Sequence, residues 1–376
     1  MAKSGTWEEV VVRGKEAPLP FKGVSGAGIG GKAYFFGGYG GGYSDETHIV
    51  DASDPREPEW ILLEVTSSTK PSRRAYHSTF AYKSSLWVFG GVGTKGYNND
   101  VWRLQLKNDE GTEGHWLKVD AVGHVPRKRQ GHTGTVVDTT FVVVGGYDGC
   151  DYLNDVHALN LETLIWWRCC TGDSPNAPSP RSGHAAAAAP LDWDAVFVFI
   201  FGGFGGDGCV DDFVACLEID PLAGTASWEP PKTAGVAPSA RYGSSANPPL
   251  SVGFNGANLA GSICHNDICV FSLLQPHKPV WRRDPHGHAF PGEPPSPRHC
   301  HGAAVVGNTI VFVGGSTKGP YCPRDMFPRL LNDVHCLRLA QKTDGNYVRS
   351  KVIIHSNQSK HRAPTRIFEL KDINGL

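Results

Sequence analysis

A short phrase, an apolar run that ends on two glycines, recurs along the chain at a nearly constant interval. It reads KAYFFGG at Gly37, LWVFGG at Gly90, FVVVGG at Gly145, VFIFGG at Gly202 and IVFVGG at Gly314. The first four copies lie about 55 residues apart and the last gap is about twice that, so one unit has lost the phrase. A repeat of this length indicates a supersecondary unit that must stack on its copies, which constrains the fold more than chain length does.

Three further marks recur in step with the glycines, and each has six members. An acidic residue precedes an apolar run at Glu46, Asp100, Asp155, Asp212, Asp267 and Asp333. A tryptophan recurs at Trp7, Trp60, Trp116, Trp166 or Trp167, Trp228 and Trp281. A basic residue precedes the first strand of each unit at Lys22, Arg74, Arg129, Arg181, Arg241 and Arg298. The sequence therefore predicts a six-fold repeat.

Each unit is expected to form four short antiparallel strands. In the third unit the first strand is HTGTVV, the second is FVVVGG, the third is VHALNL and the fourth carries the tryptophan. Glycines after a buried strand suit a turn where a side chain would clash. The tryptophan can fill the space between neighbouring sheets. Because one such sheet buries one face poorly, the copies are expected to stack and to close into a ring that protects their edges.

The order of apolar run, double glycine, tyrosine, Asn-Asp and tryptophan resembles the kelch repeat over about residues 7–347. The resemblance implies an all-β fold, a six-bladed kelch β-propeller closed by the N-terminal strand, with a short C-terminal tail. We expect the propeller to span residues 1–355 and the tail residues 356–376. For closure, residues 7–12 (WEEVVV) are expected to complete the last blade, although residues 347–354 (YVRSKVII) are the alternative fourth strand.

The fifth unit departs from the pattern. The position expected for its glycine pair holds Ala257 and Asn258, while the spacing from Arg241 to Asp267 is kept. We predict a blade that is present but degenerate. Sequence drift is the favoured explanation, and a specialised partner surface is the alternative.

Strand direction places the start of strand one and the end of strand two at the same rim of each blade. The predicted partner-binding set at this mouth is Lys22, Arg74, Arg129, Arg181, Arg241, Arg298, Tyr39, Tyr147, Phe204 and Ser316. Arginine suits bidentate contact with carboxylates. The resemblance to kelch substrate adaptors, in which similarly placed arginines, serines and tyrosines bind acidic peptides, implies the same rim here. The alternative is that the cations pair with the six acidic marks and serve the fold alone.

For the recurring histidines and for the cysteines, the sequence favours structural roles. The histidine three positions after the basic mark (His77, His132, His184, His301) is predicted to make a hydrogen bond at the edge of the core. The run His299-Cys300-His301 would put two imidazoles on one face of a strand. A metal site is possible there, but the signal for one is weak. The ten cysteines are expected to be reduced thiols.

These features favour a non-catalytic, cytoplasmic scaffold or adaptor that binds an acidic or extended segment of a protein partner, without a metal or cofactor. The balanced charge, 36 basic against 37 acidic residues, gives no drive toward nucleic acid, and no apolar run is long enough to enter a membrane. Two alternatives stay open. One is a specifier-like, metal-assisted enzyme acting on a small anionic substrate, although the Glu-x-x-x-Asp-x-x-x-His spacing of nitrile-specifier proteins is missing. The other is an actin-binding or cytoskeletal role.

Overall fold

The computed structural model describes residues 5–10, 18–19, 21–51, 58–170, 176–192, 195–210, 215–220, 225–229, 234–235, 237–247, 252–257, 264–272, 280–284, 294–317 and 330–339. Within these ranges the chain forms strands and turns and no helix. The predicted all-β class is confirmed. No helix in the described ranges has the length and apolar character that crossing a membrane requires.

The strands of the first three units are, in chain order, β1 (Gly5–Val10), β2 (Ser25–Ile29), β3 (Lys32–Phe36), β4 (Thr47–Asp51), β5 (Glu59–Leu62), β6 (Glu64–Val65), β7 (Ser78–Tyr82), β8 (Ser85–Phe89), β9 (Val92–Gly93), β10 (Gly96–Tyr97), β11 (Val101–Leu106), β12 (Glu113–Val119), β13 (Val122–Gly123), β14 (Thr133–Val137), β15 (Thr140–Tyr147), β16 (Tyr152–Asn160) and β17 (Ile165–Cys170). The rest of the chain adds β18 (Ala185–Asp192), β19 (Ala195–Phe201), β20 (Phe204–Gly205), β21 (Gly208–Cys209), β22 (Ala215–Asp220), β23 (Thr225–Glu229), β24 (Ala234–Gly235), β25 (Ser245–Asn247), β26 (Val252–Ala257), β27 (Cys264–Ser272), β28 (Val280–Asp284), β29 (Gly302–Val306), β30 (Thr309–Val313) and β31 (Val334–Leu339).

Six of the sheets that these strands form have four or five strands each, in the orders β2-β3-β4-β5, β7-β8-β11-β12-β6, β14-β15-β16-β17-β13, β18-β19-β22-β23, β25-β26-β27-β28-β24 and β29-β30-β31-β1. Two small hairpins, β9–β10 and β20–β21, follow glycine pairs. The four predicted strands of the third unit are present as β14, β15, β16 and β17, each antiparallel to the next.

The sheets are arranged in a ring around their first strands. Strand β2 contacts β7, and the contacts continue through β14, β18, β25 and β29 back to β2. The all-β propeller expected from the sequence is therefore present. The fifth sheet exists although its unit lacks the glycine pair, as predicted.

The N-terminal strand closes the last sheet. Strand β1 pairs with β31 in antiparallel register from Gly5 opposite Leu339 to Val10 opposite Val334. The predicted closure by the N-terminal segment is confirmed. The alternative strand at residues 347–354 and the tail at residues 356–376 both lie outside the described residues, so the boundary of the predicted domains stays a prediction.

The core lies between neighbouring sheets, where Trp60, Trp116, Trp166 and Trp228 of the repeated set are buried as predicted. Trp116 of the second sheet packs on Phe36 of the first, with ring centroids 5.2 Å apart. Trp166 of the third sheet packs in the same way on Phe89 of the second, also at 5.2 Å. These large apolar side chains stabilise the stacking of sheets, which a single sheet cannot supply.

Candidate functional site

A closed ring of backbone hydrogen bonds surrounds the mouth of the propeller, just before the first strand of each sheet. Each N–H donates to the carbonyl of the preceding unit, at 2.7–2.9 Å, in the cycle Gly23 to Cys300, Tyr76 to Gly23, Gly131 to Tyr76, Gly183 to Gly131, Gly243 to Gly183 and Cys300 to Gly243. All six residues have positive φ, between 54° and 69°. Glycine adopts this conformation freely, so Tyr76 and Cys300 hold it at a cost. The ring fixes the diameter of the opening.

The five predicted arginines do not line this opening. The exposed fraction of the residue is 0–3 % for each of Arg74, Arg129, Arg181, Arg241 and Arg298. The guanidinium of each donates from Nε to the carbonyl of the residue two positions earlier, at 2.9–3.0 Å. A side chain without exposed surface cannot contact a partner, so the expected ring of accessible arginines is wrong.

Three of these arginines instead form bidentate ion pairs with the repeated acidic residues. Arg129 donates to both carboxylate oxygens of Asp155, at 2.6 and 2.9 Å, and also to the carbonyl of Gly145. The same geometry joins Arg74 to Asp100 and Arg298 to Asp333. The alternative interpretation, in which the basic residues pair with the acidic marks and stabilise the fold, holds for these three ion pairs.

The arginines also set the protonation of their partners. Burial by itself would raise the pKa of the Asp155 carboxyl, but hydrogen bonds from Arg129 and His157 outweigh it and hold that pKa below its ordinary value. Burial is likewise outweighed at Asp333, where hydrogen bonds from His335 and Arg298 lower the pKa. These carboxylates therefore stay charged and paired inside the fold.

Lys22 lies one position later in its unit than the arginines do in theirs. Lys22 forms a β-bridge with Tyr39. In other units the equivalent bridges join Gln130 to Tyr147 and Ser182 to Phe204, and Gln130 and Ser182 each directly follow an arginine. Lys22 is half-buried at the mouth. Burial, followed by the Lys22 charge, lowers the pKa of His299 to about 4. Lys22 thus stays at the predicted rim, but it is not the counterpart of the arginines.

The remaining predicted residues lie at the same rim. Tyr39, Tyr147 and Phe204 are half-buried, and each forms an isolated bridge with a residue at the start of its own unit, as does the buried Ser316. Their shared position is the one predicted from strand direction. Their contact with a partner stays a prediction.

Aromatic rings form a continuous arc along this rim. Neighbouring ring centroids are 5.0–6.1 Å apart in the order Tyr97, Tyr147, Tyr152, Phe204, Tyr242 and His299. A separate pair, Tyr39 and Tyr43, continues the aromatic surface on the first unit at 5.2 Å. Tyrosines present apolar area together with a polar tip, which suits a binding surface.

Tyr76 belongs to the opening itself. Its ring lies so close to Gly23 that a Cβ added there would meet it at 2.9 Å. Burial, followed by the neighbouring Cys300 and Tyr43 groups, raises the pKa of Tyr76 well above its usual range. The Tyr76 ring and hydroxyl therefore form part of the floor of the mouth.

Sequence reasoning missed several of these tyrosines, although a signal was present. Tyr43, Tyr97 and Tyr152 each stand three residues before the acidic mark of their unit. This recurrence places a ring between the glycine pair and the acidic residue in each of these three units. Tyr76 and Tyr242 do not share this spacing, and their place at the mouth depends on contacts between units.

The predicted histidines fulfil a structural role. His132, His184 and His301 are buried, and their Nε2 atoms lie 2.8–3.0 Å from Ser78, Thr133 and Ser245 hydroxyls of the preceding sheet. His77 is buried at the same position of its unit. The hydrogen-bonding role is confirmed for the three histidines with hydroxyl partners.

The His299-Cys300-His301 run does not present two imidazoles on one face. Cys300 has a φ of 54°, which breaks the strand alternation on which that expectation depended. His299 Nδ1 lies 3.0 Å from the Ser316 carbonyl, whereas His301 turns toward Ser245. Burial raises the pKa of the Cys300 thiol to about 11. Across the described ranges, no three His, Cys, Asp or Glu side chains form a group suited to a metal ion.

The KLHDC2/KLHL20/DRC7 Kelch-repeats domain model matches residues 2–203 and 112–315. Adagio-like protein 3 of Oryza sativa subsp. japonica is 30% identical over 359 residues, covering 91% of this chain and 52% of that protein. Human Kelch domain-containing protein 3 is 27% identical over 317 residues, covering 78% of this chain and 76% of the relative.

A solved structure described as "Structure of YjhT" superimposes with a TM-score of 0.59 at 18% identity, over 85% of this chain and 95% of the other. At that identity the likeness concerns the fold alone. The chain spans about half the length of Adagio-like protein 3 and of human Kelch domain-containing protein 1.

Proposed function

Because this chain belongs to the kelch-repeat family, we propose that it works as a non-catalytic protein-interaction module, a scaffold or adaptor. The segment of the partner that it binds would be extended and would lie across the mouth of the propeller. Kelch-domain relatives support a role in protein interaction, and the specific partner is the part that we propose.

The observation that carries this proposal is the aromatic arc over the backbone ring. Tyrosine rings bury large areas at low cost in conformational entropy, and tyrosine and phenylalanine are enriched where proteins meet. The arc occupies one rim, whereas the structural ion pairs lie buried beneath it. The aromatic arc can therefore serve as a binding surface at the mouth, while the buried ion pairs stabilise the fold.

The chemistry of the rim supports binding rather than catalysis. The Cys300 thiol is held in its protonated form, and His299 is held neutral near pH 7 while it bonds to a carbonyl. Neither pKa lies near 7, where general acid–base catalysis is most efficient at neutral pH.

The acidic character of the partner depended on the arginines and has lost that support. Lys22, between Tyr39 and His299, is the residue of the predicted set that can still attract a carboxylate. We therefore propose that aromatic contacts supply most of the affinity and that Lys22 selects for an acidic group.

The test is affinity capture from native extract, read by mass spectrometry, with Tyr147→Ala and Phe204→Ala compared with the native chain. We expect the captured partners to be lost or reduced at least tenfold, because each variant removes a central ring of the arc. The matched control is Ile165→Ala, which removes a 48% exposed apolar side chain from the outer strand β17. An unchanged partner list for both mouth variants would refute the proposal.

We also propose that the six sheets are the blades of one complete wheel and that the protein works in a reducing, cytoplasmic setting. The backbone ring with its six members supports the first point. The free thiols among the described cysteines support the second. An experimental structure with a different number of blades, or disulfides in the native protein, would contradict these points respectively.

A further inference from the structure

The first unit lacks the arginine that the other units bury at one position. The N–H of the second glycine in a pair donates to the carbonyl of that position in the next unit, as Gly38 does to Arg74 and Gly146 to Arg181. Gly315 donates in the same way to the carbonyl of Phe21, at 2.8 Å. Phe21 therefore stands where the other units have arginine.

In three sister units the site at this position is a receptor for a guanidinium group. The acceptors are a glycine carbonyl and a carboxylate, in the sets Gly90 with Asp100, Gly145 with Asp155 and Gly314 with Asp333. Arginine fits because its planar fork donates to both acceptors at once. The same pair of acceptors, a glycine carbonyl and a carboxylate, thus binds a guanidinium group in three of the units.

The first unit keeps the acceptors but presents a cavity. Gly37 and Glu46 occupy the positions of the glycine and the acid, and both line an open cavity of about 270 Å³ together with Phe21. The side chain of Glu46 is 55% exposed, compared with 14% for Asp155 beneath its arginine. The carboxylate is therefore accessible where its counterparts are covered.

Charges around the cavity leave Glu46 as the carboxylate that can accept a cation. The neighbouring Asp45 is engaged by Lys70 at 3.2 Å and by Arg73 at 3.5 Å. Glu46 contacts the buried His48, whose Nε2 lies 3.1 Å from it. A histidine holds the corresponding carboxylate in the same way at Asp155 and Asp333, where a guanidinium is bound in addition.

We propose that this cavity binds an arginine side chain contributed by a protein partner. Its guanidinium would donate to Glu46 and to the Gly37 carbonyl, and its aliphatic stem would lie on the Phe21 ring. A lysine ammonium is a point charge and matches two separated acceptors less well. The inference deepens the proposed function, since the cavity adjoins Tyr43 at the rim and would recognise a basic residue of the bound segment.

The test measures binding of N-acetyl-arginine N-methylamide by saturation-transfer NMR, with the neutral citrulline analogue as the matched probe. We expect the arginine probe to bind at least about tenfold more tightly than the citrulline probe, because only the former is charged. Glu46→Gln should abolish that difference. Glu64→Gln, at an exposed acid on strand β6, should leave it unchanged.

A second variant, Phe21→Arg, restores the pattern of the sister units. It should fill the cavity from within and prevent binding of the arginine probe. Adding Glu46→Gln should then lower the melting temperature more in the Phe21→Arg background than in the native chain. If Phe21→Arg fails to fold, the Glu46→Gln comparison decides alone.

Equal binding of the two probes, absence of binding by the arginine probe, or full discrimination in Glu46→Gln would each overturn the inference. Partner capture that depends on Tyr147 and Phe204 would then leave the proposed function standing. Selective binding of the arginine probe with no loss of capture in those mouth variants would instead contradict the proposed function alone.

Discussion

The third unit and the first unit place different side chains on the same backbone. In the third, Arg129 closes over Asp155 and leaves only 14% of the Asp155 side chain exposed. In the first, Phe21 replaces the arginine, and Glu46 faces an open cavity. The difference teaches that a repeated charge stabilises the fold, whereas a charge whose repeated partner is missing becomes available for recognition.

The largest expected effect comes from breaking the pair of the third unit. Arg129→Ala should lower the free energy of unfolding by about 3–5 kcal/mol, because it leaves the Asp155 carboxylate buried without its partner. Urea unfolding followed by tryptophan fluorescence measures this. The matched control is Arg127→Ala, whose 72% exposed side chain lies 3.5 Å from Asp148 and should cost less than about 1 kcal/mol. Equal costs for the two variants would show that the buried pair contributes nothing special.

The second glycine of each pair offers a smaller contrast between the two units. A Cβ at Gly146 would lie 2.8 Å from the Gln130 backbone carbonyl, whereas a Cβ at Gly38 would lie 3.2 Å from the Phe21 ring. Both positions have positive φ, so alanine should cost about 1–3 kcal/mol at either one. Because a backbone oxygen yields less than a ring, we expect Gly146→Ala to cost about 1 kcal/mol more than Gly38→Ala in urea unfolding. The reverse order would contradict the packing described here.

The buried histidines that stand three positions after the arginines predict a pH dependence to which the first unit does not contribute, since Val24 occupies that position. Burial, followed by the Arg181 charge, lowers the pKa of His184 to about 3. The histidine is then neutral in the folded chain but protonated in the unfolded chain below about pH 6.5. Stability is therefore fully present above pH 6.5 and falls as the pH drops toward 4.

His184→Val, which copies the first unit, should reduce that slope by up to about 1.4 kcal/mol per pH unit between pH 6 and pH 4. Unfolding in urea at several pH values measures it. Substitution of the exposed His124 serves as the control and should leave the slope unchanged. A slope that is unaltered in His184→Val would mean that this histidine titrates in the folded state.

The sequence predicted the repeat, the strands, the closing N-terminal segment and the buried histidines, because periodic residues report what each unit needs for packing. The same periodicity led to the wrong prediction that the repeated arginines are accessible at the mouth. Arg129 recurs with its equivalents because each unit needs an internal ion pair, and strand direction alone does not reveal the depth of a side chain. The recurrence of a basic residue selects Lys22 as the mark of the first unit, whereas backbone hydrogen bonds assign that position to Phe21.

The residues that distinguish the mouth were harder to find for a physical reason. Tyr97 and Tyr152 share one spacing to the acidic mark, and Tyr147 and Phe204 share another to the glycine pair, whereas Tyr242 shares neither. Tyr242 meets the Phe204 ring of the preceding unit, and Tyr76 meets Gly23 of the preceding unit, only because the sheets pack side by side. Contacts of that kind become visible when the ring is assembled and not along one unit.

The central claim is that a partner covers the aromatic rim while the arginines beneath it serve the fold. Hydroxyl-radical footprinting of the chain with and without its captured partner tests this directly. We predict that oxidation of Tyr97, Tyr147 and Tyr152 falls at least several-fold in the complex, while the outer-edge Ile165 is oxidised as before. Unchanged oxidation of the three tyrosines together with protection at Ile165 would contradict the account.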